Sequence, residues 1–291
     1  MHSYLRAIGF SKYKSRRQLE NIYSQILKNA NRKIITTISV DTSLVQFEKD
    51  FGNGIGICLL GECDVNGSLS IEHYYPYIKG DFFMEYENIT IEKQTDKESY
   101  AGVCSDYRLG MTLIFYLQNI ADYAKSKWFN YSNRNLSTVK LSGLCNSGAV
   151  LLGIKRDERQ LYYEKELKKL KYHLLTEAKN GNSEALETLT IDEMNTYKSI
   201  ENRIKTEDIL SIIDTSVMPC GVECDHYMVL GNILRVTEVK NEFTDEIIYN
   251  LLLEANDIVL NVGINKLDLQ GEPAVGRRFR GEVWLQGYVR I

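Results

Sequence analysis

The stretch that most restricts how this chain can fold is its last fourteen residues, RFRGEVWLQGYVRI, from Arg278 to Ile291. Phe279, Gly281, Val283, Leu285, Gly287, Val289 and Ile291 fall on every second position, with Arg278, Arg280, Glu282, Trp284, Gln286, Tyr288 and Arg290 between them. Successive side chains on a strand point to opposite sides of the sheet. The segment therefore reads as a strand with an apolar core face and an outward face of rings among guanidinium groups. Trp284 and Tyr288 stand roughly 13 Å apart along such a strand. Arg278, Arg280, Trp284, Tyr288 and Arg290 are thus the candidate ligand or partner contacts.

Upstream, Tyr227–Val239, Ile247–Leu253 and the alternating Ile258, Leu260, Val262 and Ile264 add three more strands, with Gly231 where a strand would bend. Four strands in about 70 residues predict a small closed β-barrel, OB-like or SH3-like, over residues 217–291. The helix that an OB barrel usually carries is absent or only a turn here, which weakens that particular label.

Residues 1–154 have a different texture. A strand-like opening leads into a helix over Ser15–Asn29, with Leu19, Ile22, Tyr23, Ile26 and Leu27 at helical spacing and Ser15 or Ser11 placed to cap it. KIITTISV, GIGICLLG and SLSIEHYYPY then read as strands, with the Asp64–Gly67 turn D-V-N-G joining the last two. FFMEYENITIEK and SYAGVC form a further pair around the polar turn Gln94–Ser99. An apolar helix is expected from about Leu109 to Ala124, and a hairpin over Leu136–Leu144 and Ala149–Ile154 through C-N-S-G. This order predicts an α+β domain with an antiparallel sheet and packed helices.

Residues 155–216 read as a helical connector. Tyr163, Leu167, Leu170 and Leu174 follow at spacings of 4, 3 and 4, a narrow apolar seam on a basic helix whose Lys168, Lys169 and Lys171 form a solvated side. N-G-N-S stops this helix. A short helix over Glu184–Leu189 follows, then T-I-D-E at Thr190–Glu193 reads as the capping box of another, and Thr206 can cap a last one.

A chain of 291 residues is longer than most single cores, and its composition is that of a globular protein. The net charge of −4 and pI near 5.7 give no global attraction to nucleic acid or an anionic membrane. The opening MHSYLRAIGF has no signal-peptide pattern and no segment is apolar enough to span a membrane, so a cytoplasmic location is expected. Six dispersed cysteines then read as reduced thiols.

Chemistry-bearing motifs are sparse. Cys220, Cys224 and His226 form C-x3-C-x-H, the donor types of a zinc site, but no second pair of comparable form exists. Buried cysteine commonly serves as a small hydrophobe, and no metal or other cofactor is assigned. G-N-G-I-G at Gly52–Gly56 lacks the lysine ending of a phosphate loop and reads as a turn. None of His2, His73, His173 and His226 falls in a catalytic motif.

Three segments resemble a bacterial family known only as a domain of unknown function: MHSYLRAIGFSK, EDILSIIDTSVMPCGVECDHYMVLG from Glu207 to Gly231, and GEPAVGRRFRGEVWLQG from Gly271 to Gly287. The resemblance runs the full length of the chain and implies a cytoplasmic bacterial protein, without an activity. The expected function is a non-catalytic binding or assembly protein using the outward barrel face, with a protein partner or self-association favoured because Trp, Tyr and Arg are enriched at interfaces. One alternative is nucleic-acid or nucleotide binding by the same face, with rings stacking bases and arginines holding phosphates. The other is an enzyme with a site between domains.

Overall fold

The computed structural model describes residues 2–94, 99–106, 110–128, 136–154 and 157–291. A 3-10 turn over Ser3–Ile8, not a strand, opens the chain, and Tyr4, Leu5, Ala7, Ile8 and Phe10 are buried. Helix α1 (Arg16–Asn29) starts at Ser15, whose hydroxyl accepts from the Gln18 amide while the Gln18 side chain returns to the Ser15 amide. It buries Ile22 and Ile26.

Strands β1 (Arg32–Thr37), β2 (Thr42–Gly52), β3 (Ile55–Asp64) and β4 (Leu69–Ile78) form an antiparallel four-stranded sheet in chain order. The Asp64 turn is where the sequence puts it. Its carboxylate accepts from the amides of Asn66 and Ser68, and Gly67 takes φ of +82°, open to glycine at little cost.

The second sheet is larger and mixed. It contains β5 (Met84–Lys93), β6 (Tyr100–Asp106), β7 (Met111–Leu117), β8 (Leu136–Leu151), β9 (Ser216–Pro219), β10 (His226–Lys240), β11 (Ile247–Ala255), β12 (Ile258–Asn265), β13 (Leu269–Gln270) and β14 (Arg278–Val289). The β8–β14 antiparallel pair is its spine, running from Leu151 with Arg278 to Val139 with Val289 with a β-bulge between Gly281 and Val283. Pairings run round β8, β12, β11, β10 and β14 and close on themselves, and a second ring runs β8, β5, β6, β7 and β14. The 217–291 strands therefore close only by taking β8 from the N-terminal part. The expected divisions at 154/155 and 216/217 run through one hydrogen-bonded sheet. The molecule is α+β, as expected.

Three local expectations change. Met111–Leu117 is a strand, and only Ile120–Trp128 is helical (α2); Leu109 lies outside the described residues. The segment has Thr112, Ile114, Phe115 and Tyr116, which suit a pleated surface, and its burial between neighbours makes both faces apolar, erasing the period-2 signal. Leu136–Leu151 is one unbroken strand, because the chain passes Asn146 and Ser147 as a β-bulge and rejoins the ladder at Gly148, which pairs with both Gly281 and Leu269. The third concerns the helices between β8 and β9: α3 (Glu158–Lys179), α4 (Ser183–Ile204) and α5 (Ile209–Ile212). Asn182 caps α4, which runs straight through Thr190, whose hydroxyl donates to the Leu186 carbonyl. A helix already nucleated upstream has no need of an internal cap.

Candidate functional site

The polar residues of β14 divide between several surroundings. Arg278 is buried, donating from Nε to the Leu152 carbonyl at 3.0 Å and from Nη1 to the Ile213 carbonyl at 2.9 Å, so it ties both ends of the helical segment to the sheet. Arg280 and Arg290 are exposed. Gln286 is fully buried and Trp284 is 6% exposed. The outward face expected from the alternation is therefore not an open surface, because other elements cover its centre.

Gln286 belongs to a polar network joining the two sheets. Gln118 Nε2 donates to Gln286 Oε1 at 2.8 Å, to the Ile78 carbonyl at 2.9 Å and to Ser142 Oγ at 3.2 Å. Gln286 Nε2 donates to the Pro76 carbonyl at 2.9 Å, and the Gln118 carbonyl accepts from Tyr75 Oη at 2.6 Å and Gln46 Nε2 at 3.0 Å. Buried amides are stable here because partners from both sheets replace the water they lose.

Next to this network, between the sheets, is a cavity of about 220 Å3. Tyr75, Tyr77 and Tyr288 contribute rings, Arg32, Lys79 and Lys140 cations, and Glu48 a carboxylate. At ~30 Å3 per water the space equals roughly seven waters. Arg32 Nη2 donates to both Asp122 carboxylate oxygens, at 2.9 and 2.8 Å, and Nη1 reaches Glu48 at 3.3 Å. Lys79 holds Asp50 at 2.8 Å, and Tyr77 Oη donates to the same carboxylate at 2.5 Å. Lys140 differs. Its ammonium lies 4.6 Å from the centroid of Phe83, with the Arg290 guanidinium 4.2 Å from that centroid, and neither cation makes an ion pair among the described residues. Lys140 is also the cross-strand partner of Tyr288, which brings the two side chains together. Burial raises the Glu48 carboxyl above its ordinary value, against the lowering effect of Arg32. Burial likewise holds the phenols of Tyr75 and Tyr77 protonated.

Trp284 lines a second cleft of about 570 Å3 with His2, Tyr4, Glu223, Asp225 and His226. His226 and Trp284 are cross-strand partners. Trp284 Nε1 donates to Asp225 Oδ2 at 2.8 Å, while Asp225 Oδ1 lies 3.1 Å from His226 Nδ1, as does Glu223 Oε2. The Tyr4 ring stacks on Trp284 at 5.4 Å between centroids, and His2 lies at 4.8 Å. Donating a hydrogen bond to Asp225 raises the His226 pKa. Burial, followed by the charge of the N-terminus, lowers that of His2 to about 4. The cleft thus holds one imidazole that favours its proton and one that sheds it.

Cys224 and His226 reach this cleft, but no metal centre assembles around them. Cys220 uses its backbone amide to bond the His226 carbonyl, and among the described residues no group of three or more His, Cys, Asp or Glu could hold a metal ion. All six cysteines are free thiols. Sequence reasoning found Tyr288 and Trp284 but missed Arg32, Glu48, Tyr75, Tyr77, Lys79 and Lys140. Arg32, Glu48 and Lys140 come from three different strands and Tyr75, Tyr77 and Lys79 from β4 and its end, with no common motif; only the Tyr-rich run at Tyr74–Tyr77 marked the region.

The described residues define an α+β protein of two sheets with a charged, tyrosine-walled cavity at their junction. Among them no helix is long and apolar enough to cross a membrane. The chain belongs to DUF3881, described as "Domain of unknown function, E. rectale Gene description", whose model matches residues 5–287. No curated protein and no solved structure matches it.

Proposed function

We propose that this protein binds a small anionic molecule, a carboxylate or phosphate with a planar part, in the cavity between its sheets. The observation carrying this reading is Lys140, a residue of the cavity lining whose ammonium has no carboxylate partner among the described residues, while Arg32 and Lys79 of the same lining are each neutralised. An anion at Lys140 would complete the set, and Tyr75, Tyr77 and Tyr288 supply the ring contacts that small-molecule sites use. Binding without chemistry suits the buried Gln118 of its lining, which neither titrates nor attacks. We read the ring of β8, β10, β11, β12 and β14 as a small barrel of the OB-like or SH3-like size class, closed by β8 and not by the 217–291 strands alone, with its ligand beside the β8–β14 pair. Trp284 is too enclosed in this reading to stack a nucleic-acid base.

Calorimetric titration with inorganic phosphate and with 4-hydroxybenzoate tests the proposal. Saturable binding is expected, weakened about tenfold, or ~1.4 kcal/mol, by Lys140→Gln and unchanged by Arg280→Gln. Absence of binding by both probes, or equal loss in both variants, would remove the proposal.

A second reading is an acid–base enzyme at the Trp284 cleft, favoured by the Asp225–His226 pair and its orientation by the Trp284 indole. It requires a bell-shaped or single-limb pH dependence of turnover that is abolished by His226→Gln while the fold persists.

A further inference from the structure

Helices α3 and α4 turn back on each other at Asn180–Asn182, where Gly181 has φ of +92°. Long helices in proteins owe their stability to burying an apolar face. This hairpin buries little: on α4 only Ala185 and Leu189 are buried. Tyr163 is 65% exposed, Leu167 47% and Leu170 53% on α3, and Tyr197 is 73% exposed on α4, where Leu186, Met194 and Ile204 are also exposed.

The attachment of α3 shows which way its exposed seam points. Lys168 pairs with Asp257 at 2.9 Å, Tyr172 also bonds Asp257, and Lys179 pairs with Glu87, all three holding the helix to the sheet. At 100° per residue, Lys168, Tyr172 and Lys179 share one side of the helix. Tyr163, Leu167, Leu170 and Leu174 share the side roughly opposite, at the 4-3-4 spacing of a helix-packing seam. On α4, Tyr197, Ile200 and Ile204 continue at spacings of 3 and 4.

Charge identifies the occupant. On α3, Arg159, Lys165 and Lys171 make no ion pair among the described residues; on α4, neither do Glu184, Glu187, Asp192, Glu193 and Glu201. A basic helix and an acidic helix, each with an exposed apolar stripe, are complementary in the way two copies related by a two-fold axis require: α3 of one meets α4 of the other, twice. We propose that the α3–α4 hairpin is a self-association surface, and that two copies of this chain complete a four-helix bundle through it.

Sedimentation of the full chain between low and high micromolar concentration tests this. The expected species has twice the 33.5 kDa chain mass, and Leu170→Asp with Tyr197→Asp returns it to a single chain while sheet circular dichroism is unchanged. Because both positions are exposed, unfolding is not the expected cause of loss. A charge swap supplies a second arm: Glu187→Lys with Glu201→Lys weakens association at least tenfold, and adding Arg159→Glu with Lys171→Glu to the same chain recovers it. A wild-type chain that sediments as a monomer throughout overturns the proposal and leaves the hairpin to a different protein. A dimer indifferent to both sets of changes overturns it equally, by placing the contact elsewhere.

Discussion

Replacing Gln286 by leucine separates the structure most sharply from the strand pattern considered alone. On the pattern, Gln286 lies on the polar face of the last strand, where leucine would be nearly neutral. In the structure the side chain has no exposure, accepts from Gln118 at 2.8 Å and donates to the Pro76 carbonyl at 2.9 Å. Leucine fits a similar volume but supplies neither bond. Each lost bond is worth about 1 kcal/mol, and a donor or acceptor left buried without a partner costs about 1–3 kcal/mol. Gln118 Nε2 keeps Ile78 and Ser142, so the larger penalty falls at the Pro76 side. The total is about 2–4 kcal/mol. For a chain of this size that corresponds to a fall in melting temperature of roughly 3–7 °C. Urea unfolding should show a lower midpoint at unchanged slope, with Arg280→Gln, an exposed neighbour on the same face, staying within about 0.5 kcal/mol of wild type. If Gln286→Leu is as stable as wild type, the inter-sheet network does not exist and the face is open.

Two further outcomes follow from titratable groups. His2 has its folded pKa lowered to about 4, so the unfolded chain binds more protons between that value and the ordinary 6.5, and stability should fall as pH drops through this window. His2→Gln should flatten that limb of a stability–pH curve; an unchanged limb would show that His2 is not buried as a neutral ring. His226 has the opposite sign: its raised pKa contributes stability that is complete below 6.5 and lost as pH rises through the folded value. His226→Gln should remove the decline on that side, and a persistent decline would assign it to another group. Thiol labelling of the native protein should modify exposed Cys224 first, whereas fully enclosed Cys58, Cys104 and Cys145 should react only on unfolding. Rapid native labelling of any of these three would contradict the packing described for β3, β6 and β8.

The glycines around Phe115 show how tightly that packing is specified. A Cβ on Gly102 or on Gly287 would overlap the Phe115 ring, so strands β6 and β14 approach β7 from two sides only because both positions lack side chains. From sequence, Gly287 reads merely as one more member of the apolar face. Its requirement becomes visible once the ring of β7 is known to lie against it.

What the sequence determines by itself is local. Ser15 and Gln18 close a capping box, Asp64 and Gly67 form a turn, and Arg278–Val289 is a strand, because each depends on hydrogen bonds or sterics within a few residues. The α+β class and the strongly polar helical segment are likewise legible. Tertiary structure decides what lies opposite each face. Alternation in β14 reports that its two sides differ chemically, not that one meets water. Gln286 is buried because residues from distant strands satisfy its amide, and Trp284 because His2 and Tyr4 pack over it. From Leu113 to Leu117 the strand is apolar on both sides because both are largely covered, which makes a buried strand resemble a helix in sequence. The closed cycle of strand pairings needs β8, more than a hundred residues before its partner β14. The cavity draws Arg32, Glu48, Lys79, Lys140 and Tyr288 from separate elements. Such a site has no spacing to read, since its residues become neighbours only when the two sheets meet.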